Sequence, residues 1–384
     1  PFIEIDLMIS TYIPYLKGNE QKYLNQCVKE NFVSSAGAFV NKFENKFSKI
    51  FKYKYNIAVN SGTSALHVAL LALGVKENDI VITQSYTFAA TANSILYCKA
   101  KPWFFDISPE SLTLDLNNLE NILKKKTKIQ NNQCILKGTN QIIKAILPVL
   151  SLGLVPDLDR LIKISKKYKL KILLDAAAGH GALYKSKKIS SRKITSCFSF
   201  NGNKAFTCGG GGIISTFDKP FAKKIRNLST VAKRTNGYGY NDVGFNYKIT
   251  NIQAAIGLAQ LENFSKIMKI KKKIFEKYKK KLTNNKKIVI HNKLSWQNGV
   301  DWIFFIKINK KINNKLIIFF KKNGISINKF WVPLHTQKPY RNFNKETLKA
   351  TNFIWDRILI LPSHPGLKNF QQNKVINTIN QYFK

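Results

Sequence analysis

The sequence predicts an α/β protein: a mainly parallel central sheet with helices on both faces, followed by a smaller C-terminal α/β unit. Short apolar runs rich in Ile, Val and Leu alternate with longer runs of helical apolar spacing, the pattern of strands joined through crossover helices. Small and polar residues follow the apolar runs, as at "NSGTSAL" and "SFNGNK", where loops lead from strand ends into helices. Beyond residue 265 the pattern condenses into one strand–helix–strand unit, which divides the chain into a large domain (1–265) and a small one (266–384).

Taken in order, "GNEQKYLNQCVKENF" and "FVNKFENKFSKIF" carry helical apolar spacing. "YNIAVNSGTSALHVALLALGV" reads as strand, tight turn and helix, with Ser61 or Thr63 as N-cap and Gly74 as the stop. "DIVITQSYTFAATANSILYCKAKPWFFDI" repeats that theme and ends in another strand. The run "KKKTKIQNNQ", 124–133, is expected to be a polar loop. "AILPVLSLG" and "LKILLDAAAGHGAL" are strands, with the helix "DLDRLIKISKKY" between them. "KITSCFSF" and "GIIST" are strands flanking a lone lysine and four glycines. "TNIQAAIGLAQLENFSKIMKIKKKIFEKYKKKL" predicts one long helix or a kinked pair, and "VDWIFFIKIN", "NNKLIIFFKKNG" and "ISINKFWVP" a final strand–helix–strand.

The 384 residues are 44% hydrophobic and 12% aromatic, a globular composition. No apolar run is long enough to cross a membrane, and the opening "PFIEIDLMIS" has no basic n-region like that of a signal peptide. Cysteines 27, 98, 134, 197 and 208 form no CxxC pair, which predicts reduced thiols in a cytoplasm and no metal site. The net charge of +42 invites a nucleic-acid reading. Yet Lys accounts for 57 of the basic residues and Arg for 6, scattered along the chain, whereas groove readers lean on bidentate arginine. The charge is read as solvated surface, without a nucleic-acid partner.

Ligands of open parallel sheets gather at the carboxyl ends of strands. Gly62, Thr63 and Ser64 stand there at a helix N-terminus, an anion site, with Ser199 as a further hydroxyl. Phe88 offers an aromatic face, Asp175 a carboxylate ending a strongly apolar strand, and Lys204 an amine. A flat, electron-poor ring bearing a phosphate uses all of these. That is the demand of pyridoxal 5'-phosphate, whose binding needs a Schiff-base lysine and an acid facing the pyridine nitrogen. Each piece has a plainer reading: a capped helix, a cap aspartate, a core phenylalanine. Lys204 precedes its glycines, unlike a phosphate loop, and no GxGxxG follows a strand.

The order of these pieces resembles the DegT/DnrJ/StrS family of nucleotide-sugar aminotransferases, pyridoxal-phosphate enzymes of fold type I. The likeness runs through "FVSSAGAFVNKFENKF", "NSGTSALHVALLALGV", "VPDLDRLIKISKKYKLKILLDAA", "SFNGNKAFTCGGGGIIST" and "GFNYKITNIQAAIGLAQLE" to the closing "LPSHPGL". "SFNGNK" and "GGGG" are most similar to the branch making 4-amino sugars for bacillosamine and legionaminic-type glycans.

The resemblance implies Lys204 as the Schiff-base lysine and Asp175 as partner of the ring nitrogen. It places Phe88 on the ring face and Gly62, Thr63, Ser64 and Ser199 around the phosphate. Asn246, in "GFNYK", is implied to reach the phosphate of the neighbouring subunit of a homodimer, and His335, in "WVPLHTQ", to lie near the sugar. The expected reaction moves an amino group from L-glutamate to C4 of a UDP- or dTDP-linked 4-keto-6-deoxy sugar, with a UDP-linked N-acetylhexosamine favoured. Three departures stand out: Ala178 where the family has Gln, Glu or His, Lys193-Ile194 for Gly-Asp, and "PVL" (148–150) for "PVH". The alternatives are a sugar dehydratase of the same family, which carries histidine in place of Lys204, and an inactive scaffold or sensor.

Overall fold

The computed structural model describes residues 8–234, 239–240 and 242–384. Its central sheet runs in the order Tyr55–Val59, Gly212–Thr216, Ser196–Ser199 and Leu174–Asp175. A parallel bridge between Val149 and Asp175 carries it on to Ile142–Leu147, Ile80–Gln84 and Lys101–Phe105. Gly212–Thr216 lies antiparallel to both neighbours; the other pairings along this path are parallel.

Successive side chains of a strand point to opposite faces, and the core divides accordingly. Ile80, Ile82, Phe198 and Ile213 join the buried cluster under helices Ala38–Phe51, Leu158–Lys167 and Asn251–Glu262. Val81, Cys197 and Ile214 join the opposite cluster, under Gly62–Ala72, Ala89–Tyr97 and Lys219–Ser229. Near-continuous apolar strands are thus buried from both sides, as a parallel sheet requires.

The run expected as a polar loop is otherwise. Lys124–Lys126 close the helix Leu116–Lys126, and Thr127–Gln130 pairs antiparallel with Gln133–Leu136 as a β-hairpin. Asn131 and Asn132, at φ +49° and +58°, make the two-residue turn. Asparagine tolerates this left-handed backbone better than most residues, and such turns match the twist of paired strands. The predicted long helix is a pair, Asn251–Glu262 and Phe264–Leu282, broken at Asn263. Of "ISINKFWVP" only Asn328–Lys329 is strand.

A second sheet gathers Ile288–Ile290, Phe304–Ile308, Ile358–Leu361 and Asn328–Lys329 around its own buried cluster. Two pairings tie the C-terminal part to earlier parts of the chain. Ile9 bridges Ile325 in parallel, and Gln297–Gly299 pairs with Ala182–Tyr184. No helix among the described residues is long and apolar enough to cross a membrane.

Candidate active site

At their carboxyl ends the parallel strands surround one cavity of about 510 Å³, a size suited to a cofactor and part of a substrate. Beyond Tyr55–Val59 the chain turns into the helix Gly62–Ala72, capped by Ser61, whose Oγ accepts the Ser64 N–H at 3.0 Å. Such a cap contributes about 1 kcal/mol. The Ser64 hydroxyl donates to Asn60 Oδ1 at 2.7 Å, so Ser64 serves the turn, while Ser61, Gly62 and Thr63 line the cavity. A Cβ on Gly62 would stand 2.7 Å from Cβ of Ser199, so glycine lets the helix start meet the end of Ser196–Ser199. The positive end of the helix dipole therefore opens on the cavity beside Thr63 and Ser199.

Asp175 closes its strand and is 3% exposed. Its Oδ2 accepts from Thr91 Oγ1 at 2.8 Å and its Oδ1 from the Ala177 N–H at 3.1 Å. Burial pushes the carboxyl above its usual range, and these bonds together with the charge of Lys204 pull it back. Thr91, which also bonds Thr87 Oγ1 at 2.8 Å, is a cavity residue that sequence reasoning missed. Phe88, at the N-cap of Ala89–Tyr97, is 60% exposed and lines the cavity.

Lys204 sits in the turn after Ser196–Ser199, its backbone N–H bonded to the Asn201 carbonyl at 2.9 Å. Its amine lies 3.9 Å from the centroid of the Trp302 ring. Burial lowers its pKa to about 8 against the upward pull of Asp175, so roughly a tenth of the amine is neutral at pH 7. The glycines that follow serve the backbone. Gly209 and Gly211 adopt φ of +79° and +107°, and Gly211 bridges Ser61 in parallel. A Cβ on Gly212 would collide with the Ser61 carbonyl. The quartet thus brings the lysine turn against the helix start.

Two expected residues lie apart from this cavity. His335 is half-buried in a short 3₁₀ turn, where Nδ1 and the Ser85 hydroxyl are 2.7 Å apart, and it tethers that turn to the strand end. Asn246 is exposed and bridges Thr230. Of the departures, Ala178 and Leu150 share the cavity wall, whereas Lys193 takes a left-handed turn at φ +53° and Ile194 is buried. His180, four residues before Tyr184 and the hairpin beyond, is buried among Phe198, Phe200 and Phe206. Burial, then the nearby Lys204, lowers its pKa to about 3, so it is neutral.

The sequence profile of the DegT/DnrJ/EryC1/StrS aminotransferase family matches residues 14–380. The chain belongs to this family. The GDP-perosamine synthase of Caulobacter vibrioides is 34% identical over 379 residues, covering 97% of this chain and 98% of that protein. EpsN of Bacillus subtilis, provisionally named a pyridoxal phosphate-dependent aminotransferase, is 30% identical over 96% of this chain and 94% of its own. Among solved structures, a DegT DnrJ EryC1 StrS aminotransferase from Brucella abortus superposes with a TM-score of 0.87 at 25% identity, covering 95% of each chain.

This aminotransferase is accordingly a pyridoxal-phosphate-dependent sugar aminotransferase of fold type I. The residues present fit the cofactor. A buried carboxylate and a half-buried amine face one cavity, an exposed aromatic stands at its side, and a helix N-terminus with two hydroxyls opens on it. The departures leave all of these in place.

Proposed function

We propose that the enzyme transfers an amino group from L-glutamate to the C4 keto group of a nucleotide-linked 4-keto-6-deoxy sugar, for a cell-surface glycan or polysaccharide. One observation carries the reading: the half-buried Lys204 amine and the buried Asp175 carboxylate share a cavity that ends at the N-terminus of Gly62–Ala72. Pyridoxal phosphate, when bound, supplies an electron-withdrawing ring that stabilises negative charge at the amino-bearing carbon. Asp175, fixed by Thr91, keeps the ring nitrogen protonated. Gly62, Thr63 and Ser199 receive the phosphate, and Ser64 supports them through the cap. Phe88 covers one ring face. Lys204 takes the proton from the donor's Cα and returns it one step later, a role that needs its amine neutral near physiological pH. Asn246, exposed and outside its own chain's cavity, is suited to complete the phosphate site of a neighbouring subunit in a homodimer.

The likeness of "SFNGNK" to the bacillosamine branch favours a UDP-linked N-acetylhexosamine. Two of the relatives matched almost end to end are named for making GDP-perosamine, a GDP-linked amino sugar, and they favour GDP. We take the GDP-linked substrate first. Incubation with L-glutamate and GDP- or UDP-linked 4-keto-6-deoxy sugars, read by mass spectrometry and NMR, is expected to give an amino sugar from the GDP compound. Purified protein is expected to absorb in the visible region, and Lys204→Ala to abolish both that band and amination. An unchanged spectrum in the variant removes Lys204 from the chemistry, and amination of neither sugar overturns the substrate class.

A further inference from the structure

We propose that Trp302 is the positioning residue for Lys204: its indole face holds the amine whenever Lys204 is free of the cofactor. The inference rests on the reading of Lys204 as the reactive amine and adds what keeps that amine in place. Lys204 Nζ lies 3.9 Å from the ring centroid, well inside the ~6 Å reach of a cation–π contact. The amine makes no hydrogen bond to a side chain or carbonyl among the described residues, so the ring is its close partner. Both residues line the large cavity, and both also line a water-sized space behind it.

Trp302 is itself held on several sides. Its Nε1 donates at 2.7 Å to the carbonyl of Asn203, the residue before Lys204, so ring and amine share one turn. Its own carbonyl accepts from Lys271 Nζ at 2.8 Å. Tyr12 stacks on the ring with centroids 6.1 Å apart, and Phe330 meets it edge-on at 5.3 Å. Trp302 stands two residues before the strand Phe304–Ile308, so the C-terminal sheet supplies it to the lysine turn that follows Ser196–Ser199.

The physical case turns on what a ring face leaves free. A carboxylate in contact would lock the amine as an ammonium and occupy its donors. An apolar slot would press it toward the neutral form. The indole face stabilises the charge without using an N–H donor, so the amine can accept a proton, keep it and still leave for a bond to carbon. The charged and titratable groups nearby are Asp175, His180, His364, Lys271, Tyr12 and Lys329, the last on the wall of the same cavity. Asp175 pulls the amine toward its charged form, while His180 and His364 are neutral, with pKa values lowered to about 3 and about 4. Lys271 is bonded to the Trp302 and Ser363 carbonyls, and the Tyr12 phenol is buried and protonated.

The test uses the full-length, cofactor-free protein. Acylation of amines with acetic anhydride across a pH series, followed by mass spectrometry of the Lys204-bearing peptide, gives the midpoint at which Lys204 becomes reactive. Trp302→Leu removes the ring and the N–H, whereas Trp302→Phe removes the N–H and keeps a π face. Loss of the ring is expected to move the midpoint down by about one pH unit, roughly tenfold more labelling at a fixed pH below it, with the phenylalanine variant close to the parent. Equal shifts in the two variants, no shift, or an upward shift from water entering a loosened slot would overturn the proposal. Trp302→Met replaces the leucine variant if that chain does not fold. Because the readout needs neither cofactor nor sugar, its failure leaves the Lys204→Ala spectrum to judge the functional reading separately.

Discussion

A lysine drawn out of water is a cost to the fold that a reactive amine would repay. In the unfolded chain Lys204 titrates near ~10.4; in the fold its pKa is about 8, because burial disfavours the ammonium. Below about 8 both states carry the proton and the fold bears the whole penalty. As pH rises from about 8 toward ~10 the folded amine is already neutral, and the penalty fades. Lys204→Met is therefore expected to raise the melting temperature of cofactor-free protein at neutral pH by several degrees, with the gain shrinking as pH approaches ~10. Melting curves across that range check both the sign and the slope. Lys271, lowered to about 7 by the same burial, remains in the variant as an internal reference. At this scale the sequence disclosed the residues that stand at strand ends. Lys204, Asp175, Phe88, Gly62, Thr63 and Ser199 all meet at the cavity. Thr91 and Trp302 were not legible, since a threonine in a helix and a tryptophan beside a strand declare their partners only once the elements have packed.

Elements were read well where burial dictates their pattern and poorly where local backbone geometry does. The strands of the central sheet are apolar on both faces, and their positions follow from that alone. The hairpin Thr127–Leu136 is largely exposed, so its polar sequence resembled a loop; the turn at Asn131-Asn132 was the overlooked clue. Asn132 holds φ +58°, which a β-branched residue resists by about 1–2 kcal/mol. Asn132→Val is expected to lower the urea-unfolding free energy by about 1 kcal/mol, and Asn132→Gly to leave it near the parent value. Equal stability of the valine variant would show that the turn relaxes at no cost. The break at Asn263 between Asn251–Glu262 and Phe264–Leu282 was read as one of two options, because apolar spacing continues through it.

For the whole molecule, the two-layered core was legible, and the assembly is the larger question. A net charge of +42 spread over scattered lysines describes a solvated exterior and gives no docking partner. If Asn246 completes a neighbour's site, neither Lys204→Ala nor Asn246→Ala protein has an intact centre, yet a mixed dimer contains one. Mixing the two inactive variants under conditions that exchange subunits is expected to regenerate amination; persistent inactivity would place Asn246 outside the shared site. The bridge between Ile9 and Ile325 has a consequence for biosynthesis. A stretch made early cannot find its bonding edge until the ribosome has delivered a segment made late. Until then the backbone groups of Gly324 and Ser326 that bond Ile9 stay without that partner, and a fragment cut away from the early stretch would leave them open to water or to another chain.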